Sequence, residues 1–217
     1  MIPNELTPSE RFKAILKDSL VLLMKKYHFK KKGTKFIYEG KNLSYFITTY
    51  KSRWNTKESL EFRVEWGVEI NEERKKPEIP FKAEALYGDL GGLTKNVNLR
   101  WFEVKTEDAD PLAHDKLLKE KISGGIELTI LPFLFSFQSI EDIIKILETT
   151  PDKEVSWGTP VKGGQTLRFL ASFYYFIGKP EKSLEFIDKA IKSSKVESFK
   201  QDTEELKRQI VLNMHKK

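Results

Sequence analysis

The sequence predicts an α+β fold, in which an N-terminal helix and a second long helix pack on an antiparallel sheet of about four strands, followed by a C-terminal helical bundle. Three patterns support this prediction. Apolar residues recur at helical spacing over residues 9–28, alternate strictly with polar residues from Leu60 to Ile70, and return to helical spacing from Pro111 onward. Alternation places one face of a strand on a core and the other in water, so the order of these patterns indicates a sheet covered by helices.

The first helix has a well-defined start. Thr7 stands at the cap position, Pro8 follows in the first turn, and Glu10 comes three residues after the cap, which is the pattern of a capping box. The apolar stripe that follows predicts a helix from Ser9 to His28. Lysines in and just beyond its last turn suit the negative end of the helix dipole.

The strands are expected between this helix and Val104. The sequence Gly40–Asn42 is typical of a hairpin turn and joins the first two strands. The third strand is the alternating segment, and a long excursion with prolines and glycines separates it from the fourth. The predicted strands cover residues 34–39, 43–52, 60–70 and 96–104.

The second predicted strand is apolar on both of its faces. Leu43, Tyr45 and Ile47 lie on one face, and Phe46 and Tyr50 lie on the other. Either both faces are covered, or Phe46 and Tyr50 form an aromatic patch that is open to a partner. We expect coverage, which the C-terminal helices are available to supply.

The domain organisation follows from a change of character along the chain. We expect an α+β domain over residues 1–149, a linker over residues 150–164, and a helical extension over residues 165–217 that packs on the first domain. The linker prediction rests on a cluster of prolines and glycines between two helical patterns.

The helical extension resembles one tetratricopeptide-type hairpin. The small residues Ala171, Ser183 and Ala190 would let two helices approach closely, and Gly178 would end the first of them. Only one copy is visible, whereas arrays need about three copies to be stable alone. The hairpin is therefore expected to pack on its neighbours.

Composition excludes several classes of site. The 217 residues include no cysteine, which excludes disulfide bonds, thiolate zinc sites and a cysteine nucleophile. The longest apolar stretch, residues 126–137, contains Glu127 and Pro132 and is too short to cross a bilayer. The N-terminal residues also lack the pattern of a secretory signal. We therefore expect a soluble, cytoplasmic protein that does not bind a membrane.

Positive charge is concentrated in the first quarter of the chain. Residues 1–60 hold 13 Lys and Arg against 5 Asp and Glu, a net charge of +8, whereas residues 61–217 hold 25 against 27. This imbalance suits an acidic partner, a nucleic acid or an anionic ligand, although a solvated surface gives the same count. A nucleic acid is disfavoured, because Glu61, Glu65 and Glu69 on the wet face of the third strand would repel its phosphates.

Five residues near the hairpin are the candidate binding residues. Lys31 and Lys32 belong to a lysine run that either attracts a phosphate or forms an ordinary solvated turn. Lys51, Arg53 and Trp54 follow, where Arg53 suits a carboxylate or phosphate and Trp54 suits a contact anchor. The alternative is that Trp54 caps the core and Arg53 pairs with a neighbouring glutamate.

No catalytic, cofactor or metal site is predicted. His28, His114 and His215 lie far apart in the sequence and lack metal-ligand spacing. The glycine-rich segments 88–92 and 163–166 do not match a nucleotide-binding loop, and there is no Gly-x-Ser-x-Gly elbow. The sequence therefore leans away from an enzyme, and an enzyme with an unrecognised site is the most distant option.

Several motifs occur in an order that resembles a bacterial family, the domain of unknown function 4304. The pattern is a helix before a lysine-rich turn, a Lys-Ser-x-Trp segment, an alternating strand with Gly-Val, and a Gly-x-Leu turn before a tryptophan strand. His28 stands where glycine is usual, and Leu86 and Tyr87 replace an expected arginine-containing pair. The resemblance covers roughly the first two thirds of the chain; it implies a bacterial α+β domain and no activity. The residues on the pattern are Lys51, Ser52, Trp54, Gly67, Val68, Gly88, Leu90 and Trp101.

These patterns predict a non-catalytic protein-interaction module, of the adaptor or immunity-like kind, whose partner is another protein. The alternative is an anion-binding or nucleic-acid-binding protein that uses the basic N-terminal quarter. No cofactor is expected in either case.

Overall fold

The computed structural model of the protein describes residues 6–71, 84–149 and 164–214. Within these ranges the fold is α+β, with an antiparallel sheet and a core between the sheet and the helices, as the sequence predicts. Apart from Gly164, the predicted linker over residues 150–164 lies outside the described residues. The strands are β1 (Lys30–Lys32), β2 (Lys35–Glu39), β3 (Leu43–Lys51), β4 (Ser59–Ile70), β5 (Glu84–Asp89) and β6 (Phe102–Lys105). The helices are α1 (Pro8–Leu16), α2 (Leu22–Lys26), α3 (Leu90–Thr94), α4 (Pro111–Gly125), α5 (Leu131–Phe135), α6 (Ile140–Thr149), α7 (Gly164–Phe176), α8 (Pro180–Ser193) and α9 (Glu197–Met214).

The N-terminal helix starts with the predicted capping box. The Thr7 amide donates to the Glu10 carboxylate at 2.9 Å, and the Glu10 amide donates to the Thr7 hydroxyl at 3.3 Å. A π-helical segment (Lys17–Val21) joins α1 to α2 and was not predicted. The α-helix ends at Lys26, two residues before the predicted end, because His28 takes a left-handed conformation with φ 60°.

The sheet is built around β4. In the order of the sheet, β1, β2, β3 and β4 are neighbours, and β5 and β6 pair with different parts of β4. The predicted alternation of β4 is confirmed from Leu60 to Trp66, since Val64 and Trp66 are both buried in the core that the sheet shares with the helices. It is wrong beyond Trp66, because Glu69, which was expected on the wet face, is buried as well. Gly67, between Trp66 and Val68, belongs to the opposite face.

The predicted number and placement of strands need correction. The described sheet has six strands rather than about four, because β1 forms within the lysine run and β5 within the predicted excursion. The fourth predicted strand is wrong in its first half. Val97–Leu99 is a 3₁₀ turn that the Asn96 side chain starts by accepting from the Asn98 amide at 3.0 Å. Only Phe102–Lys105 pairs with β4.

The second face of β3 is covered at one position and open at another. Phe46 is buried against Gly67, where an added Cβ would lie 2.3 Å from the Phe46 ring, and the Lys35 ammonium lies 4.0 Å from the centre of that ring. Tyr50 remains exposed. The expected coverage is therefore correct at Phe46, where contacts within the sheet supply it, and wrong at Tyr50.

The core continues from the sheet into the C-terminal helices. Leu170, Phe173 and Tyr174 of α7 belong to the same cluster of buried residues as the sheet. A smaller cluster joins α7, α8 and α9, and Gly178, with φ 74°, lies in the turn between α7 and α8. The tetratricopeptide resemblance stays a prediction. Across the described ranges, no helix has the length and apolar composition needed to cross a bilayer.

Candidate binding surfaces

A groove of about 520 Å³ lies between the N-terminal helix and the edge of the sheet formed by β1, β2 and β3. Its floor is apolar and its rim carries four lysines. The floor residues Phe12, Leu20 and Phe36 are buried, whereas Leu16 and Val21 are partly exposed to the groove. The lining residues are Phe12, Lys13, Leu16, Lys17, Leu20, Val21, Lys31, Gly33, Thr34, Phe36, Thr49 and Lys51. We call this surface the lysine-rimmed groove.

The lysines of the rim come from two separate parts of the fold. Lys13 and Lys17 are four residues apart on the N-terminal helix, so they lie on one helix face. Lys31 is opposite Phe36 in the β1–β2 register, and Lys51 ends β3 opposite Phe62 of β4. Phe36 and Phe62 both belong to the core, so Lys31 and Lys51 lie on the sheet face that the helices cover.

The positive charge of the rim is not neutralised by ion pairs. Within the described ranges, none of Lys13, Lys17, Lys31 and Lys51 forms an ion pair with a carboxylate. The carboxylates beside the helical lysines have other partners. Glu10, which interacts electrostatically with Lys13, is held by Thr7 in the capping box, and Asp18 accepts from Lys119 at 2.7 Å.

Two of the rim lysines lie over the aromatic floor. The Lys51 ammonium is 4.5 Å from the centre of the Phe12 ring, and the Lys31 ammonium is 5.9 Å from the centre of the Phe36 ring. Both distances are within the range of a cation–π contact. The groove therefore offers an apolar floor and cationic groups to the same ligand.

Local backbone features shape the two walls of this groove. Lys17, Leu20 and Val21 lie in the π-helical segment, and such segments are frequent at functional sites. Gly33 makes the tight β1–β2 turn with φ 60°, and no atom would contact a Cβ added there. The turn thus projects into open space beside Lys31.

The neighbouring Lys32 has a different role from Lys31. Adjacent residues of a strand point to opposite faces, so Lys32 lies on the outer face of the sheet, away from the helices. Its ammonium pairs with Glu39 at 2.8 Å. Of the five candidate residues, the structure brings Lys31 and Lys51 together in the groove and separates Lys32 from them.

A second surface lies on the outer face of the sheet, near the β3–β4 turn. Tyr50 is 45% exposed and lies opposite Arg63 of β4, and Trp101, just before β6, is 38% exposed. The Arg63 guanidinium lies 4.9 Å from the centre of the Tyr50 ring and 5.2 Å from the Trp101 ring. The two rings meet edge to face at 6.3 Å. Arg63 also pairs with Glu65 at 2.6 Å.

The β3–β4 turn itself carries Arg53 and Trp54. Trp54 is 75% exposed, and the Arg53 guanidinium lies 4.8 Å from the centre of its ring. Neither alternative reading of these residues holds, since Trp54 does not cap the core and Arg53 forms no ion pair with any described glutamate. We call Tyr50, Arg53, Trp54, Arg63 and Trp101 together the aromatic–arginine cluster.

A third cationic group is fully internal. Arg11 of α1 is 2% exposed and donates to Asp115 at 2.6 Å, to Asp108 at 2.8 Å and to the Lys105 carbonyl at 2.7 Å. Burial disfavours the charge of Arg11, but its hydrogen bonds with the two aspartates raise its pKa above the usual value. Burial likewise disfavours the charge of Asp108, yet hydrogen bonds from the Lys105 amide and Arg11 lower its pKa. This group ties α1 to β6 and α4.

Sequence reasoning missed several residues of both surfaces. The signal for Lys13 and Lys17 was present, because two lysines four residues apart flank the apolar stripe of the first helix. No sequence signal placed Arg63 and Trp101 beside Tyr50, since that contact depends on strand pairing. His114 contacts Asp108 at 2.9 Å, and no group of three or more metal-ligating side chains occurs in the described ranges.

Comparisons of the chain with protein families, curated proteins and solved structures gave no match. The geometry of these surfaces is therefore the basis on which we infer function.

Proposed function

We propose that the protein is a non-catalytic protein-interaction module, of the adaptor or immunity-like kind, that contacts its partner through the aromatic–arginine cluster. The observation that carries the proposal is the exposure of three aromatic rings beside two arginines at one end of the sheet. Tryptophan, tyrosine and arginine are the residues most enriched among those that dominate binding energy at protein interfaces.

The turn that carries Trp54 is held in place before any partner binds. The Ser52 amide donates to the Glu61 carbonyl at 3.0 Å, and the Trp54 amide donates to the Ser52 hydroxyl at 3.2 Å. The Asn55 side chain also bridges to the backbone of Glu61, accepting from its amide at 2.7 Å. A fixed turn reduces the entropy that ordering would cost on binding, which supports a role for Trp54 as an anchor.

The chemistry of the cluster indicates the kind of partner surface. Arg53 has no carboxylate partner among the described residues, and a guanidinium pairs with carboxylates in a bidentate geometry. We therefore propose a partner protein that presents an acidic side chain beside an apolar pocket for Trp54. The resemblance to the bacterial family of the domain of unknown function 4304 stays a prediction and adds no activity to this proposal.

The test places a photo-crosslinking amino acid at position 54 in cells that naturally make the protein. The matched control carries it at position 212, because Leu212 of α9 is also well exposed. We expect a discrete adduct from position 54 and none from position 212. Equal labelling from both positions, or adducts from position 212 alone, would contradict the proposal.

The partner identified in this way is then purified and titrated against three variants by calorimetry. Trp54→Ala and Arg53→Ala are each expected to weaken binding by about 2 kcal/mol, roughly thirtyfold, whereas Leu212→Ala leaves the affinity unchanged. Unchanged affinity for Trp54→Ala would show that the partner uses another surface.

A further inference from the structure

We propose that the lysine-rimmed groove is a binding site for an anionic amphiphile, a molecule in which a hydrocarbon chain or ring carries a phosphate or carboxylate group. This site is separate from the aromatic–arginine cluster, because no residue of the cluster lines the groove, and Tyr50 and Arg63 lie on the sheet face opposite to the groove. The inference therefore does not depend on the proposed function.

The groove has the size of a small-molecule site. Its volume of about 520 Å³ lies within the range of small-molecule sites, about 300–1,000 Å³. Phe12, Leu20 and Phe36 are already buried, so the apolar floor open to a ligand is narrow. A narrow floor suits a single chain or ring better than the wide surface that a folded partner needs.

The rim of the groove carries positive charge that no carboxylate of the described residues neutralises. In the described ranges the four rim lysines have no ion-paired carboxylate, and the groove lining contains no acidic residue. Like charges brought together at one opening disfavour the empty state, and an anion that binds there relieves the repulsion. The head group of the ligand is therefore anionic.

Two of the cations lie directly beside the apolar floor of the groove. Lys51 and Lys31 lie over the rings of Phe12 and Phe36, so their ammonium groups border the apolar surface directly. A ligand with separate apolar and anionic parts satisfies both at once. A simple anion would leave Leu16 and Val21 partly exposed to water, and a neutral hydrocarbon would leave the lysines unpaired.

The first experiment titrates the full-length protein with dodecyl phosphate, below its micelle concentration, by calorimetry. We expect binding of one molecule per chain, with an affinity that falls as salt is added. Octyl phosphate is expected to bind more weakly, by up to about fourfold for each buried methylene group that it lacks. The proposal is overturned if inorganic phosphate binds as tightly as dodecyl phosphate, or if the cationic dodecyltrimethylammonium ion does.

The second experiment compares two double variants that remove the same charge. Lys31→Gln with Lys51→Gln is expected to weaken the binding of dodecyl phosphate by about tenfold. Lys32→Gln with Lys57→Gln removes two exposed lysines outside the groove and is expected to leave the affinity within about twofold of the original. If both double variants lose the same affinity, dodecyl phosphate is attracted only by the overall charge of the protein, and the proposed site is wrong.

The third experiment tests the floor with two adjacent residues. Val21→Asp places a carboxylate in the groove and is expected to abolish binding, whereas Leu22→Asp changes an exposed neighbour outside it and is expected to leave binding intact. Circular dichroism checks that both variants are folded. If Val21→Asp is not folded, the double variant Lys31→Gln with Lys51→Gln decides whether the groove binds dodecyl phosphate.

A last arm separates a free amphiphile from a membrane surface. The protein is mixed with vesicles of phosphatidylglycerol and phosphatidylcholine and sedimented. If it binds these vesicles through Lys31 and Lys51 but does not bind monomeric dodecyl phosphate, the groove is a membrane contact and the proposal is wrong.

Discussion

Positive charges on two faces of the N-terminal helix have opposite environments. On one face of α1, Arg11 is buried and each of its main partners is an oxygen on β6, on α4 or between them. On the other face, Lys13 of α1 and Lys17 of the π-helical segment that follows it border the groove without an ion pair in the described part of the chain. The side chains are only two to six residues apart in the sequence.

The difference shows which cations stabilise the fold and which remain for a ligand. A buried charge is tolerated only when hydrogen bonds and an opposite charge replace the lost water, and Arg11 meets this condition. Exposed lysines keep their water and contribute little to stability. Removing Arg11 should therefore damage the fold, whereas removing the lysines should change stability little and should mainly affect binding.

The largest expected effect is that of Arg11→Met. This change leaves Asp108 and Asp115 without their shared cation, and we expect a loss of about 3 kcal/mol in the free energy of unfolding. Urea unfolding followed by tryptophan fluorescence measures it, because Trp66 is buried in the folded protein. Lys13→Met is the matched control and should change stability by less than about 0.5 kcal/mol. Similar losses in both variants would remove the distinction between the two faces.

A smaller effect is expected from acid. The lowered pKa of Asp108 means that the folded state holds this carboxylate ionised more strongly than the unfolded chain does, for which the usual value is 3.8. The resulting stability is fully present above that value and is lost as the pH falls below it, toward the pKa of the folded state. Asp108→Asn should cost about 1 kcal/mol at pH 7 and less near pH 3, as measured by urea unfolding at each pH.

The control for the acid experiment is Asp18→Asn, because Asp18 is exposed and, within the described ranges, forms an ion pair with Lys119 alone. Its effect should be small at every pH. A constant difference between the wild-type protein and Asp108→Asn from pH 7 to pH 3 would contradict the assigned role of the Arg11 group.

The smallest expected effect is a gain in stability from Lys17→Glu. Like charges four residues apart on a helix destabilise it, so replacing the Lys13–Lys17 repulsion by an attraction should add about 0.4 kcal/mol at low salt. The gain should shrink in high salt, and the binding of dodecyl phosphate should weaken in the same variant. Thermal unfolding at two salt concentrations and calorimetry measure these changes. A loss of stability at low salt would show that Lys17 supports the fold.

The features that were predicted correctly from the sequence are those that depend on residues close together in the chain. The capping box of Thr7 and Glu10 and the alternation of β4 as far as Trp66 depend on near neighbours, and both were predicted correctly. Strand β5 was missed because its pairing with β4 is not encoded in a local pattern. Asn96 was assigned to a strand, but its side chain starts a turn instead. Such a local hydrogen bond competes with the backbone hydrogen bonds that pair strands.

The candidate surfaces divide in the same way. The sequence identified Lys31, Lys51, Arg53 and Trp54 as residues worth attention but treated them as one group. Strand geometry places Lys31 and Lys32 on opposite faces, and the packing of the N-terminal helix on the sheet places Lys13 and Lys17 on the same groove as Lys31. Neither result follows from spacing along the chain.

By itself, the sequence determined an α+β chain with a capped first helix, an alternating central strand and a basic first quarter, because each of these depends on neighbours within a few residues. The tertiary structure alone decided which positive charges are satisfied. Arg11 meets Asp115 across 104 positions of the chain, and the rim lysines meet no such partner in the described ranges. Contacts over that distance depend on how helices pack on the sheet, and packing is a property of the whole core rather than of any segment.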